Sequence, residues 1–235
     1  MTTDIRHNLA AILARIAASA RRVGRDPADI KLVAVSKTHP ASALLEAIDA
    51  GTTVFGENKV QEAEGKIAEI GRNAAEWHLI GHLQSNKARK AVQLFDVIHS
   101  VDSVELAERL ERICIEEGRE QLCVYVHVDL AGEATKSGIG ESEMPKLVSF
   151  LKGCVRLKFC GLMILPPFFE DAEATRPYFQ RLRAMCDKLA TENAFSDQRA
   201  DLSMGMSNDF EVAIEEGATV VRVGTAIFGE REYPR

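Results

Sequence analysis

The chain has 235 residues with 29 basic and 35 acidic side chains, so its formal net charge is −6. Hydrophobic residues make up 46% and charged residues 27%, which excludes a disordered or collagen-like chain. The acidic balance argues against nucleic acid or an anionic membrane surface as the main partner.

The N-terminus, the lengths of the apolar stretches and the cysteines indicate the cellular compartment of the protein. No stretch approaches the ~18 consecutive apolar residues of a membrane span, and the N-terminus opens an amphipathic segment instead of a signal peptide. The five cysteines include no CxxC pair of the kind that binds zinc or carries redox chemistry. We therefore expect a protein of the reducing cytoplasm, without a membrane partner.

The apolar pattern predicts a helix followed by alternating strands and helices. In the first segment, apolar residues recur at helical spacing, at Ile5, Leu9, Ile12, Leu13, Ile16 and Ala20. Eight short apolar runs follow, most of them separated by one helix-length segment: Leu32–Ser36, Thr53–Gly56, Trp77–Gly81, Asp96–Val101, Leu122–Val128, Leu157–Met163, Asp201–Met204 and Thr219–Gly224. Such alternation predicts right-handed βαβ units and a parallel sheet.

The number of units favours one architecture. Eight βα units in a chain of about this length are typical of an α/β fold with a single closed (β/α)₈ TIM barrel. An open, doubly wound sheet is the alternative that alternation alone leaves open. No linker rich in Pro, Gly or Ser divides the chain, so we predict one domain over residues 1–235.

Lys37 is the first candidate for chemistry. Val33, Val35 and Lys37 share one parity on the first strand, which sends them into the barrel. Active sites of such barrels lie at the C-terminal ends of the strands, where Lys37 stands. Desolvation lowers the pKa of an amine, and a neutral amine forms a Schiff base with a carbonyl. A lysine that extends into solvent is the alternative, and position alone does not decide.

The last two strands indicate an anion site. Val220, Arg222 and Gly224 share parity, so Arg222 points inward, where a buried arginine needs an acceptor. The loop after strand seven carries Ser207, and the loop after strand eight begins Gly224-Thr225. These two loops form the recurrent phosphate site of TIM barrels. Tight turns that need glycine for backbone reasons are the alternative interpretation.

Other polar patterns are weaker. His78 and His82 lie four residues apart on a strand and its exit, without the glutamate of a zinc-binding HExxH helix. We therefore expect histidines that pack and form hydrogen bonds, and we predict no metal site.

Taken together, these segments carry a family resemblance over nearly the whole chain. They match in order and at family spacing: Leu32–Thr38, Phe55–Glu62, Trp77–Lys87, Ile98–Asp102, Lys136–Gly138, Gly161–Met163, Leu202–Ser207 and Val221–Gly229. On these motifs the chain resembles the pyridoxal 5′-phosphate (PLP) homeostasis proteins. That family is similar to the N-terminal barrel domain of alanine racemases, standing alone.

The resemblance implies specific roles for single residues. PLP is expected as an internal aldimine on Lys37, with Arg222 facing the pyridine nitrogen. The residues expected to hold the phosphate or line the pocket are Ser207, Gly224, Thr225, Asn58 and Met204. An arginine at the ring nitrogen disfavours its protonation, so powerful carbanion chemistry is not expected.

Two departures from the family pattern flank this site. Ile164 stands where the family commonly has threonine before the prolines, and Asn208-Asp209-Phe210 replaces a stretch where two aspartates and a methionine are frequent. They bear on details of the pocket and leave the expected aldimine unaffected.

Three functions remain at this point. The one we favour is a carrier that binds and buffers PLP and maintains vitamin B6 and amino-acid homeostasis without turnover. We expect it to be monomeric and to meet PLP-requiring apo-enzymes transiently. The alternatives are a PLP-dependent amino-acid racemase of low activity and a PLP-independent aldolase that uses Lys37, with Asp129 or Glu57 as proton donor.

A missing acid argues against the racemase. Racemisation needs a second acid or base on the substrate face opposite the lysine. The tyrosines of the chain are Tyr125, Tyr178 and Tyr233. Tyr125 is predicted deep in strand five, Tyr178 in a helix, and Tyr233 two residues from the end of the sequence, so none is expected at the barrel mouth.

Overall fold

The computed structural model of the chain describes residues 4–132 and 137–230, apart from the side chain of residue 197. Lys136 and Tyr233, which the sequence analysis named, lie outside these residues. Eight parallel strands form the centre: β1 (Lys31–Val35), β2 (Val54–Glu57), β3 (Glu76–Leu79), β4 (Val97–Val101), β5 (Leu122–His127), β6 (Leu157–Met163), β7 (Asp201–Ser203) and β8 (Val220–Val223).

Each strand pairs with the next, and β1 pairs with β8 in register from Lys31↔Val220 to Ala34↔Val223. The sheet is therefore closed. This confirms the predicted (β/α)₈ barrel and rules out the open sheet. The eight runs predicted from the sequence all correspond to strands, with ends that differ by a few residues.

Helices surround the barrel: α1 (Ile5–Arg22), α2 (Ala41–Asp49), α3 (Val60–Ile70), α4 (Ala88–Leu94), α5 (Val104–Glu116), α6 (Met144–Lys152), α7 (Arg176–Thr191), α8 (Phe210–Glu215) and α9 (Thr225–Phe228). Asp4 caps the N-terminus of α1, and its carboxylate accepts a hydrogen bond from the His7 backbone N–H at 2.9 Å. The helix packs beside α8, α9 and α2. Leu13, which we placed on the buried stripe, is 48% exposed. The buried face of α1 includes Ile12 and Ile16, and Leu13 lies beside that face.

Alternation along the strands separates two cores. The inner core fills the barrel with Val33, Val54, Val97, Tyr125, Cys160, Met163 and Val220. The outer core, between strands and helices, is larger and holds Phe55, Trp77, Phe159 and Phe179. A closed parallel sheet covered by helices thus leaves only its two ends open to solvent.

Strand pairing also brings together two cysteines that are 37 residues apart in sequence. Cys123 on β5 and Cys160 on β6 lie next to each other, with 6.0 Å between their Cα atoms. Their spacing gave no sign of this, because only the barrel makes the two strands neighbours. Among the described helices, none is long and apolar enough to cross a bilayer.

Candidate functional site

A cavity of about 550 Å³ opens at the C-terminal ends of the strands. Six of the seven site residues predicted from the sequence line it: Lys37, Asn58, Ser207, Arg222, Gly224 and Thr225. They come from four strand ends that are far apart in sequence. The pairing of β1 with β8 brings the Lys37 side of the cavity next to the Arg222 side.

Lys37 is the second residue after β1 and lines the cavity, as strand parity predicts. Its neighbour Ser36 is fully buried on the other face, where its hydroxyl donates to the Glu57 carboxylate at 2.6 Å. The next residue, Thr38, has a φ of 68°, in the left-handed region that residues with a Cβ rarely adopt. Its backbone N–H donates to the Glu62 carboxylate. The backbone on both sides of Lys37 is therefore held by side chains.

A buried ion pair stands behind this turn. The ammonium of Lys66 on α3 donates to the Ser36 carbonyl at 2.7 Å, to Glu57 at 2.6 Å and to Glu62 at 2.8 Å. Burial raises the pKa of Glu57, and the Lys66 charge opposes that rise. Helix α3 is thereby fixed to the end of β1 at the residue that precedes Lys37.

On the opposite side of the cavity, the turn at Gly224 brings the backbone after β8 close to the end of β1. The Gly224 N–H points at the Ser207 hydroxyl oxygen, 3.3 Å away. A Cβ on Gly224 would stand 3.0 Å from the Val35 carbonyl oxygen, so a larger residue would push β1 aside. Helix α9 starts at Thr225, and the first N–H groups of a helical turn have no acceptor within the helix. Hydroxyl and amide donors therefore face the cavity together.

Arg222 is a buried residue that supplies positive charge to the cavity. It is 3% exposed, and its guanidinium donates to the Ser203 hydroxyl and to the Ile164 carbonyl at 2.8 Å. Burial lowers its pKa to about 10, a shift opposed by the charge of Asp209. At neutral pH the group therefore keeps its charge. Ile164, one of the two departures from the family pattern, serves Arg222 through its backbone.

Two residues of the site differ from expectation. Met204 is fully buried in the outer core, and the methionine that lines the cavity is Met206. The expectation that Met204 lines the pocket is corrected for a simple reason: Ser203 points inward, so its neighbour faces the helices. Asp209, which the sequence analysis named only within the second departure from the family pattern, lines the cavity. Its carboxylate accepts the Met206 N–H at 2.6 Å, and burial raises its pKa.

A loop after β6 covers one side of the cavity. Leu165, Pro167, Phe168 and Phe169 contribute to the lining. Asn208, in the second departure from the family pattern, donates from its amide to the Phe169 carbonyl at 3.1 Å. Phe168 is 78% exposed, so this side of the cavity is an apolar rim open to solvent.

Comparisons with known proteins identify the family of the chain. The model of the family described as alanine racemase, N-terminal domain, matches residues 7–232. The pyridoxal phosphate homeostasis protein of Pseudomonas aeruginosa is 44% identical over 231 residues, covering 98% of this chain and 97% of that protein. The protein of the same name from Escherichia coli K12 is 43% identical over 235 residues, covering 99% of each.

Solved structures agree on the fold. PipY of Synechococcus elongatus PCC7942, solved with PLP bound, superposes with a TM-score of 0.84 at 40% identity, covering 96% of this chain and all of that one. An alanine racemase from Clostridium difficile 630 has a TM-score of 0.68 at 18% identity, over 95% of this chain and 60% of that one. The second likeness shows the shared barrel alone. The chain belongs to the family of pyridoxal phosphate homeostasis proteins.

Proposed function

We propose that this protein binds PLP in the cavity and buffers it for the proteins that use it. One observation carries the proposal: an amine at Lys37 and an anion cradle at Ser207 and Gly224 line the same cavity of about 550 Å³. PLP pairs an aldehyde with a dianionic phosphate, so its site needs both groups facing each other. The names of the relatives, and the PLP bound to PipY, point to the same ligand.

The donor set fits the phosphate. Ser207 offers a hydroxyl, and Gly224 and Thr225 offer backbone at the start of α9. Anions are stabilised by such N–H groups and by the positive end of a helical turn. Arg222 lies between this cradle and the barrel interior, where it adds a full positive charge. Asn58 lines the cavity on the side of Lys37.

The covalent step belongs to Lys37. Its neutral Nζ would add to the aldehyde carbon of PLP, and one water would leave as the internal aldimine forms. Val35 and Ile80 contribute apolar lining to the same cavity. Reversal of the step, by water or by another amine, releases the ligand without any change in its oxidation state.

We further propose that the protein has no competent amino-acid-transforming activity. Among the described tyrosines, Tyr125 lies inside the barrel with its hydroxyl on Asp201 at 3.1 Å, and Tyr178 packs on Phe169. Neither lines the cavity. The guanidinium of Arg222 also disfavours protonation of a ring nitrogen that faces it, which weakens the ring as an electron sink.

The aldolase hypothesis loses its proton donors. Glu57 is fully buried on the helix-facing side of β2, bonded to Ser36 and Lys66. Asp129 caps its own loop by accepting the N–H groups of Ala131 and Gly132. A monomeric state, a single domain, a cytoplasmic location and transient contact with apo-enzymes remain predictions.

Borohydride reduction tests the covalent site. Reduction of the PLP-loaded protein, followed by peptide mapping, should place a pyridoxyl group on Lys37. The Lys37→Arg variant should remain unlabelled, while the Lys90→Arg variant, altered on the exposed face of α4, should be labelled like the wild type. Labelling confined to a lysine other than Lys37 would overturn the assignment.

Exchange of the α-hydrogen tests the absence of turnover. Neither described tyrosine lines the cavity, so neither can act as the acid of a racemase. Loss of a general acid costs about 10²–10⁴-fold in rate, so PLP-loaded protein should exchange the α-deuteron of the common amino acids well below ~1 s⁻¹, the low end of typical enzymes. Exchange at or above that rate, or a change of chirality, would favour the racemase. Transfer of PLP to an apo-enzyme without turnover is the expected result.

A further inference from the structure

A continuous row of hydrogen-bonded side chains runs through the barrel from its N-terminal end to the cavity. We call it the axial chain, and its members are Lys31, Glu76, His78, His99, Ser203 and Arg222. Lys31 and Glu76 are about one-third exposed at the N-terminal end. The two histidines and the serine are fully buried, and Arg222 lines the cavity.

The hydrogen bonds of the axial chain are all short. Lys31 Nζ lies 2.9 Å from Glu76 Oε1, which is 2.8 Å from His78 Nε2. His78 Nδ1 lies 2.8 Å from His99 Nε2. His99 Nδ1 is 2.9 Å from the Ser203 hydroxyl, which also accepts from Arg222. Each member except the two ends therefore has a partner on both sides.

The Glu76 end fixes the direction of the hydrogen bonds that the two neutral imidazoles make. An ionised carboxylate only accepts, so His78 donates to Glu76 from Nε2 and keeps Nδ1 as an acceptor. His99 must then carry its proton on Nε2 and donate it to His78 Nδ1. The bare His99 Nδ1 in turn accepts from the Ser203 hydroxyl, whose oxygen accepts from Arg222. Both imidazoles are neutral and have the same tautomer.

The electrostatics of the groups agree with this order. Burial lowers the pKa of His78 and holds that of His99 well below its usual range, so both stay neutral. The hydrogen bond from His78, with Lys31 beside it, lowers the pKa of Glu76 to about 2, so the carboxylate stays ionised. Among the described residues, no carboxylate forms an ion pair with Arg222, whose contacts are the Ser203 hydroxyl and the Ile164 carbonyl.

We propose that the axial chain orients Arg222 toward the ligand, with His99 and Ser203 as positioning residues and Glu76 as the remote carboxylate that fixes the direction of the chain. The proposal rests on the proposed function, since Arg222 would face the ring of the bound ligand. Because the guanidinium holds its proton at neutral pH, the chain sets geometry and charge and does not conduct protons to the cavity.

Histidine tautomers test the direction without any ligand. Long-range ¹H–¹⁵N spectra of the histidine-labelled, ligand-free protein should show His99 neutral at pH 7, with Nε2 protonated and Nδ1 bare. The Glu76→Leu variant should convert His99, two links away, to a mixture of tautomers. A proton on Nδ1 of His99 in the wild type, or an unchanged His99 in the Glu76→Leu variant, would overturn the proposal.

PLP affinity tests the effect on the site. Loss of a hydrogen bond to a charged group corresponds to about 10- to 100-fold in affinity, so the Ser203→Ala variant should bind PLP that much more weakly in a fluorescence titration. The Ser203→Thr variant, which keeps the hydroxyl, should restore binding. Tyr125→Phe is the matched control, because its ring packs on His99 with centroids 4.4 Å apart while its hydroxyl bonds to Asp201 outside the axial chain.

The possible results separate the two proposals. Equal PLP affinity of the wild type and the Ser203→Ala variant, or equal weakening in the Tyr125→Phe variant, would overturn the role of the axial chain and leave the proposed function intact. A wild-type protein that takes up no PLP would contradict the proposed function, and the His99 tautomer would still decide the order of the axial chain.

Discussion

Strand parity and the close approach of β1 and β8 decide which side chains line the cavity. Ser203 points into the barrel and contacts Arg222, while the next residue, Met204, packs in the outer core. Gly224 stands where a Cβ would press on the Val35 carbonyl. The backbone N–H of Gly224 and the Ser207 hydroxyl are brought together as a result, and this pair is the centre of the proposed phosphate site.

At this scale the first prediction concerns Ser207. A hydrogen bond to a charged phosphate is worth about 1.5–3 kcal/mol, so the Ser207→Ala variant should bind PLP about 10- to 100-fold more weakly. Fluorescence titration with PLP measures the change. Ser42→Ala, on the exposed side of α2, is the control and should bind like the wild type. Unchanged affinity in Ser207→Ala would mean that the glycine loops serve the backbone alone.

At the scale of elements, helix α3 is attached to the end of β1 by charge as well as by apolar packing. Lys66 is 7% exposed and contacts the Ser36 carbonyl together with Glu57 and Glu62. Removing one partner of a buried ion pair leaves the other charge without compensation. The position of the Lys37 turn therefore depends on a helix that does not itself line the cavity.

We expect the Lys66→Met variant to be about 3–5 kcal/mol less stable to unfolding than the wild type, since Glu57 would be left buried and unpaired. The double variant Lys66→Met/Glu57→Gln should regain part of that loss, because it removes the buried charge. Urea denaturation of both variants gives the free energies of unfolding. Lys90→Met, which breaks the exposed pair with Glu64 at 2.9 Å, should cost at most about 1 kcal/mol.

If the Lys66→Met and Lys90→Met variants lost equal stability, the ion pair behind Lys37 would have no special structural role. A double variant less stable than Lys66→Met alone would likewise contradict the expected coupling between Lys66 and Glu57.

At the scale of the molecule, the barrel keeps its histidines neutral. His78, His99 and His127 are all buried inside it, and burial lowers the pKa of each; that of His127 falls to about 4. The unfolded chain takes up protons at these groups near pH 6.5, whereas the folded protein does so only at lower pH. Stability contributed by the neutral histidines is therefore present above pH 6.5 and is lost as the pH falls toward the folded values.

The free energy of unfolding should consequently decrease between pH 7 and pH 5. His127 alone accounts for about 2 kcal/mol of that decrease, given its shift from 6.5 to about 4. The His127→Phe variant should show a correspondingly smaller decrease, and His7→Gln, changed on the exposed face of α1, should not. Urea denaturation at several pH values measures this. An equal decrease in the wild type and His127→Phe would contradict the assignment.

The sequence by itself determined the alternating strands and helices and the inward parity of residues on two sides of the cavity. Period-two strands alternating with helical segments specify a parallel sheet, and parity then directs Lys37 and Arg222 inward, because both rules depend on local backbone geometry. The position of the loops after strands seven and eight pointed to Ser207 and the Gly224 turn, and the family motifs added Asn58. These features lie within short segments, where neighbours in sequence are also neighbours in space.

Only the tertiary structure decided the rest. The axial chain joins residues of five strands, the Cys123–Cys160 pair joins two, and Lys66 reaches a strand end 30 residues away. Met204, which the family resemblance placed at the cavity, lies in the outer core, and Met206 lines the cavity. Contacts between strands depend on register and on closure of the barrel, which no local pattern encodes.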